Sequence, residues 1–319
     1  MQALQLSATG SLAALQLQKR AKPVPAEGEV LVEVRATGVN PSDIKNVQGL
    51  FPYTTTPRIP GRDFAGVVVA GPQEILGPAV WGGTGKGFGF YQDGCHAQYV
   101  VVPANAVALL RPSLTFAQAA TWGVPFITAW EALERSQVKA GTRFLIIGAG
   151  AVARAAQVLA QARGAEVVLA ARRAEVVEEL QAQGIRAFQL ATAEQLPEQA
   201  KGHFQQEAPE VIFETTGFYL AEAVNSVDTF GRIAIIAAPK DGMISMSSLN
   251  LYRRGGSIVG VNSLLYSLED CAQMLTHIGA AFDAGLPVPS GFIELPLSEA
   301  VAAYHKVSEG GSEKIVLIP

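Results

Sequence analysis

Cysteine is nearly absent from this sequence: Cys95 and Cys271 are the two thiols in 319 residues. So few, so far apart, exclude a disulfide framework and fit a reducing cytoplasm, the expected location. Histidine is also scarce. His96, His203, His277 and His305 stand apart with no i, i+4 pair, so the spacing does not offer the three or four converging ligands that a protein-bound zinc needs. Charged residues make up 16% of the chain and the net charge is -4, with acids and bases mixed along it. Without a basic stripe, neither nucleic acid nor an anionic membrane surface is an expected partner. Apolar stretches are broken by Gly, Pro or charge well short of a membrane span. The start, MQALQLSATGSLAALQLQKR, lacks a basic lead into an apolar run and reads as strand, turn and strand, as in mature protein without an export signal.

What is present alternates between two textures. Up to about Arg111, short Val-rich runs such as GEVLVEVRATGV, AGVVVAG and HAQYVVVP are bounded by turn formers, the pattern of a β-rich domain. From about Leu114 the rhythm becomes helix and strand in alternation: TRFLIIG, AVARAAQVLAQARG, AEVVLAA, AEVVEELQAQ, EVIFETT, GRIAIIAA, GSIVGV. That order predicts a parallel sheet with helices on both faces, a doubly wound α/β unit. The length suits two cores. The expected division is a β-rich domain over residues 1–113, completed by 263–319, and an inserted α/β domain over 114–262.

The strongest local signal is FLIIGAGAVARAAQVLAQARGAEVVLAARR. Gly148 permits a tight turn, Gly150 lets the backbone approach a pyrophosphate, and the small Ala153 allows close helix–strand packing. The helix that follows offers free N–H groups, from Ala151 and Val152 onward, to the phosphates. An NAD site usually carries an acid at the end of the second strand. Here Ala170 and Ala171 lead directly into Arg172 and Arg173. No carboxylate repels a 2′-phosphate and a guanidinium is available to grip one, so NADPH is the expected cofactor. Thr216 and Ala238 close the next two strands, Thr216 on the adenine or ribose side and Ala238 beside the nicotinamide. Asn262 follows GSIVGV at the same carboxyl edge, where it reads equally as a ligand contact or a turn.

The segments GVNPSDIKNVQGLF, PRIPGRDFAGVVVAG, DGCHAQYVVVP and AATWGVPFITAWEAL together resemble the medium-chain dehydrogenase/reductase superfamily, and within it the quinone oxidoreductase branch. The resemblance runs from the first strand to the closing KIVLIP. It implies a GroES-like catalytic domain and a Rossmann domain with the active site between them, and homodimers formed through the Rossmann sheet edge, for which GRIAIIAA and GSIVGV are suited. In the zinc alcohol dehydrogenases a Cys ligand lies where Asn40 stands here, and Gly-His-Glu where Gly61-Arg62-Asp63 stands. The Cys-rich lobe is missing before Thr115. The implied enzyme is zinc-independent, with a quinone or α,β-unsaturated carbonyl as its small-molecule substrate. Asn40 would orient nicotinamide ribose or substrate. Lys45, placed as in some alkenal and enone reductases, reads either as a counter-charge to a developing enolate or as an ordinary exposed lysine. Phe51 stands where many relatives carry Tyr, and Tyr53 is the residue available to replace that hydroxyl. An enoyl-thioester reductase and a non-catalytic NADPH-binding redox sensor remain the alternatives. The Cys95-His96 pair is expected to be structural.

Overall fold

The Val-rich runs become strands because branched side chains alternate well across a pleated sheet. In the computed structural model, which describes residues 1–286, 291–310 and 313–319, the chain opens with the hairpin β1 (Gln2–Leu6) and β2 (Leu15–Lys19). The long strand β3 (Glu29–Val39) follows and leads through Asn40 into α1 (Pro41–Val47). Strands β4 (Asp63–Ala70), β5 (Ala79–Gly83), β6 (Tyr99–Pro103) and β7 (Ala108–Leu109) precede the helices α2 (Phe116–Ala120) and α3 (Gly123–Arg135).

The second texture then unfolds as β8 (Arg143–Ile147), α4 (Ala151–Ala162), β9 (Glu166–Ala171), α5 (Ala174–Ala182), β10 (Ala187–Gln189) and α6 (Leu196–His203). It continues with β11 (Val211–Glu214), α7 (Leu220–Ser226), β12 (Arg232–Ile235), α8 (Ser248–Arg254) and β13 (Ser257–Gly260). These strands form a parallel sheet in the order β10-β9-β8-β11-β12-β13. Strand order reverses about β8, so β8 and β11 flank the switch point of a doubly wound sheet. Its core joins Leu145, Ile147, Val168, Ile212 and Ile233 from the sheet to Leu196, Ala200 and Val224 from the helices.

The chain ends with α9 (Leu268–Asp283), β14 (Phe292–Pro296), α10 (Ala300–Ser308) and β15 (Lys314–Ile318). Both strands return to the first sheet, whose order is β14-β15-β3-β4-β5-β7, with β6 also on β3. Along one edge of β3, β6 pairs with residues 29–33 and β15 with residues 37–39. A strand of eleven residues is long enough to carry both.

The chain divides into a unit of Met1–Ile127 with Ser263–Pro319 and a unit of Thr128–Asn262. The first junction thus lies within α3, beyond the 113/114 boundary expected from texture. Packing explains the shift: Ala117 and Ala120 of α2 are buried against Ala36 of β3 and Val316 of β15, which ties α2 to the β-rich unit.

Candidate functional site

In the α/β unit, β8 ends at Gly148, whose φ of +119° is a conformation that suits glycine. A Cβ at that position would overlap Thr215 Oγ1 of the adjoining loop. Thr215 in turn donates from its hydroxyl to the Ile147 carbonyl at 2.7 Å. Gly150 caps α4, and a Cβ there would meet nothing within 4 Å, so backbone is presented to open space. The first turn of α4 has no side-chain cap, which leaves its N–H groups and the positive end of the helix dipole available to an anion. Ala151 is exposed and Val152 half-buried, while Ala153 is buried against the sheet.

The loop after β11 is fixed from below by Glu214, a residue that the sequence reading passed over. Its carboxylate is fully buried and accepts from the backbone N–H groups of Thr216 and Gly217, each at 2.7 Å. Gly217, at φ +87°, packs so closely on Ala238 that a Cβ would lie 2.8 Å from the Ala238 nitrogen. Gly148, Thr216 and Ala238 are therefore brought together at the switch point. Arg172 and Arg173 are exposed just beyond β9, and neither has an ion-pair partner among the described residues. Asn262 is exposed two residues past β13, its backbone N–H 3.4 Å from Glu131 Oε1.

In the β-rich unit, register builds a charged cluster at the end of β3. Gly38 pairs with Asp63 of β4 on one side and with Val316 of β15 on the other. Asn40, just beyond, meets both neighbours: its Nδ2 donates to Asp63 Oδ2 at 2.8 Å, and its Oδ1 accepts from Lys314 Nζ at 2.5 Å. Asn40 is 2% exposed, so both ends of its amide are held within the fold. Asp63 Oδ1 also accepts from the Val124 N–H at 2.9 Å and lies 3.3 Å from the Thr84 hydroxyl. Burial pushes the Asp63 carboxyl up, against the pull of Lys314 and of the Asn40 bond, and it pushes the Lys314 ammonium down, against Asp63 and Asp43.

Arg62 is almost fully buried and forms an ion pair with Asp43 at 3.2 Å, also donating to the Ser42 hydroxyl. Its guanidinium carbon lies 5.3 Å from the centre of the Phe90 ring. Phe51 packs edge-on against Phe90 with ring centres 5.0 Å apart, and Tyr53 packs at a tilt on Phe90 at 5.4 Å, forming an aromatic shelf. Asn46 fixes that shelf to α1, accepting from the Thr54 hydroxyl at 2.6 Å and donating to the Gly89 carbonyl at 2.7 Å. Tyr53 is exposed, with its phenol pushed up chiefly by partial burial, and Arg62 acts in the opposite sense. Lys45 is exposed on α1, with no side-chain hydrogen bond or ion pair to Asn40, Asp63 or Tyr53.

Cys95 and His96 are both fully buried. The Gly38 carbonyl can only accept, so His96 Nε2 donates to it at 3.2 Å, and Nδ1 accepts from the Tyr304 hydroxyl at 2.9 Å. Burial lowers the pKa of the imidazole and so favours this neutral tautomer. Trp122 and Phe126 pack with Phe282 in the core of the β-rich unit.

Residues 26–112 match the family described as the alcohol dehydrogenase GroES-like domain, and residues 151–279 match that described as zinc-binding dehydrogenase. A zinc-type alcohol dehydrogenase-like protein of Schizosaccharomyces pombe is 34% identical, over 95% of this chain and 92% of the relative. The chain belongs to the medium-chain dehydrogenase/reductase superfamily. Within that superfamily it aligns with the quinone oxidoreductase branch: the quinone oxidoreductase of Sus scrofa is 28% identical over 100% of this chain and 98% of its own. Among solved structures, a superfamily protein from Novosphingobium aromaticivorans superposes with a TM-score of 0.89 at 29% identity, covering 100% of this chain and 99% of its own. A quinone oxidoreductase from Thermus thermophilus, solved also in complex with NADPH, gives 0.79 at 28% identity with full coverage of both chains. This superfamily member is thus an oxidoreductase by family, built from a GroES-like and a Rossmann-type domain. Among its described residues no helix is long and apolar enough to cross a membrane.

Proposed function

We propose that the chain is a zinc-independent, NADPH-dependent oxidoreductase that transfers hydride to a quinone or an α,β-unsaturated carbonyl. The observation that carries this reading is what occupies the positions of the metal ligands. Asn40 is held between Lys314 and Asp63, and Arg62 is paired with Asp43. An amide, an ammonium and a guanidinium do not fit a zinc ion, which takes thiolate, imidazole and carboxylate donors and repels fixed cations. Among the described residues no three His, Cys, Asp or Glu converge as an alternative set. Without a Lewis acid to polarise it, a simple ketone is a poor acceptor, whereas a conjugated carbonyl spreads the arriving charge.

The residues present fit a dinucleotide. The Gly148–Gly150 turn and the uncapped start of α4 would hold the pyrophosphate, and Arg172, with Arg173 beside it, a 2′-phosphate. NADPH, when bound, supplies the hydride. Thr216 and Ala238, held by Glu214 and Gly217, would border the nucleotide. On the acceptor side, the Phe51, Tyr53 and Phe90 shelf suits a flat conjugated ring. Tyr53 would hand a proton to the reduced oxygen; partial burial raises its phenol, and Arg62 opposes that shift. Replacing Tyr53 by Phe should lower kcat about a hundredfold or more with little change in KM for NADPH; an unchanged kcat would remove Tyr53 from this role.

The test is oxidation of NADPH, followed by absorbance on purified, chelator-treated protein, against quinones, enones, an enoyl thioester and saturated ketones, with NADH in parallel. Turnover of quinone or enone but not of saturated ketone is expected. Preference for the thioester would reassign the substrate, and firm NADPH binding without turnover would make the protein a nucleotide-binding sensor.

A further inference from the structure

The last strand contributes a cation that no local pattern announces. β15 pairs with β3 from Ile315↔Val39 onward, so Lys314 is set opposite Asn40 at the strand end. Its aliphatic stem runs over Gly38, where a Cβ would come within 3.2 Å of Lys314 Cε. The side chain keeps 12% exposure, in contrast to the 1% of Asp63 beside it. The ammonium is anchored by Asn40 Oδ1 at 2.5 Å, while Asp63 Oδ2 lies at 3.9 Å, beyond hydrogen-bond reach. Asp63 already has donors in Asn40 Nδ2 and the Val124 N–H. Asp43 is paired with Arg62. The charged groups facing Lys314 are thus Asp63, Asp43 and Arg62; both carboxylates have nearer partners, and Asp63 forms an ion pair with the ammonium at 3.9 Å while the hydrogen bond that holds it comes from Asn40.

We propose that Lys314 is the fixed positive charge of the reductive site, held by Asn40 to face the oxygen on which negative charge develops when a conjugated carbonyl accepts hydride. The assignment rests on the reductase reading above. It gives Asn40 a positioning role, since its amide holds the ammonium and is not free for substrate. Preorganised charge of this kind acts because it needs no rearrangement as the oxyanion forms. Burial pushes the ammonium down and Arg62 acts in the same sense, while Asp63 and Asp43 oppose that shift without cancelling it.

The experiment compares Lys314→Met and Lys314→Arg with the unaltered protein by three readouts: thermal unfolding, NADPH affinity, and binding of 4-nitrophenol followed by the absorbance of its anion. The nitrophenolate stands in for the developing oxyanion and requires no turnover. Lys314→Met should weaken nitrophenolate binding about tenfold or more, a loss of about 1.4 kcal/mol, with NADPH affinity changed less than about threefold, within the spread expected for a residue not touching the cofactor. Lys314→Arg, which keeps the charge, should recover most of that binding. With a quinone acceptor, Lys314→Met should lower kcat about a hundredfold, as expected for loss of an oxyanion-stabilising group. Equal nitrophenolate binding by the unaltered and Met proteins, or none by either, would overturn the proposal. If Lys314→Met fails to fold, Lys314→Arg and Lys314→Gln make the same comparison, and equal binding by those two would overturn it. If the unaltered protein binds nitrophenolate through Lys314 yet reduces no acceptor, the reductase reading fails and the assignment of the charge stands.

Discussion

On the proposed function, Arg172 would separate two nucleotides through a single contact. A charge-assisted hydrogen bond to a phosphate is worth roughly 1.5–3 kcal/mol, so Arg172→Ala should raise the apparent constant for NADPH about tenfold to a hundredfold and leave that for NADH almost unchanged. Steady-state kinetics with both cofactors checks this, and equal effects would refute the phosphate contact. His96 makes a prediction of a different kind. Its folded pKa lies below the ordinary value of about 6.5 because burial disfavours the imidazolium. Below that pH the unfolded chain takes up a proton that the folded chain resists, so this contribution to stability is present above about pH 6.5 and is lost as the pH falls. Tm should therefore decline from pH 7 to pH 5, and His96→Asn should flatten the decline. His203, lowered by burial and by Arg186, leaves a residual slope in that variant.

Among the elements, the junction of β8 and α4 is tightly constrained. Gly148 combines a positive φ with a neighbour, Thr215, that leaves no room for a Cβ. Gly148→Val should destabilise the α/β unit by about 1–3 kcal/mol from backbone strain alone and abolish nucleotide binding by moving the turn. Calorimetry and NADPH fluorescence read the two effects separately. A variant that still bound NADPH normally would show that the turn does not cradle the pyrophosphate. The strand β13 raises the opposite issue. It lies at the edge of its sheet, pairing with β12 on one side, and an uncovered edge is a template for further pairing.

At the scale of the whole molecule, that edge supports the proposal of a homodimer joined through β13, with the apolar side chains of Tyr252, Leu249 and Met243 exposed on the preceding segment. Sedimentation at micromolar concentration should give the mass of two chains, and a monomer of 33.6 kDa would sink the proposal. The β-rich unit is built from both ends of the sequence. A single β3 edge recruits β6 and β15 from segments more than two hundred residues apart, which is why the chain leaves this sheet and returns to it.

The features legible in the sequence are those encoded locally. A helix or strand repeats its apolar residues every three to four or every two positions, and the β8–α4 turn announces itself because its glycines lie within a few residues of each other. The alternating texture predicted the parallel sheet, and the alanines followed by Arg172 marked the end of β9. The first junction was misplaced because α2 reads as helix whichever unit it joins, and only its burial against Ala36 and Val316 decides which. The cluster of Asn40, Asp63 and Lys314 was invisible for the same reason. Its members lie on three segments, with Lys314 removed from Asn40 by 274 positions, and no periodicity carries a register across that distance. The sequence by itself determined the elements and the glycine turn between β8 and α4. Tertiary structure alone decided which charge stands beside Asn40, because strand pairing is a long-range contact.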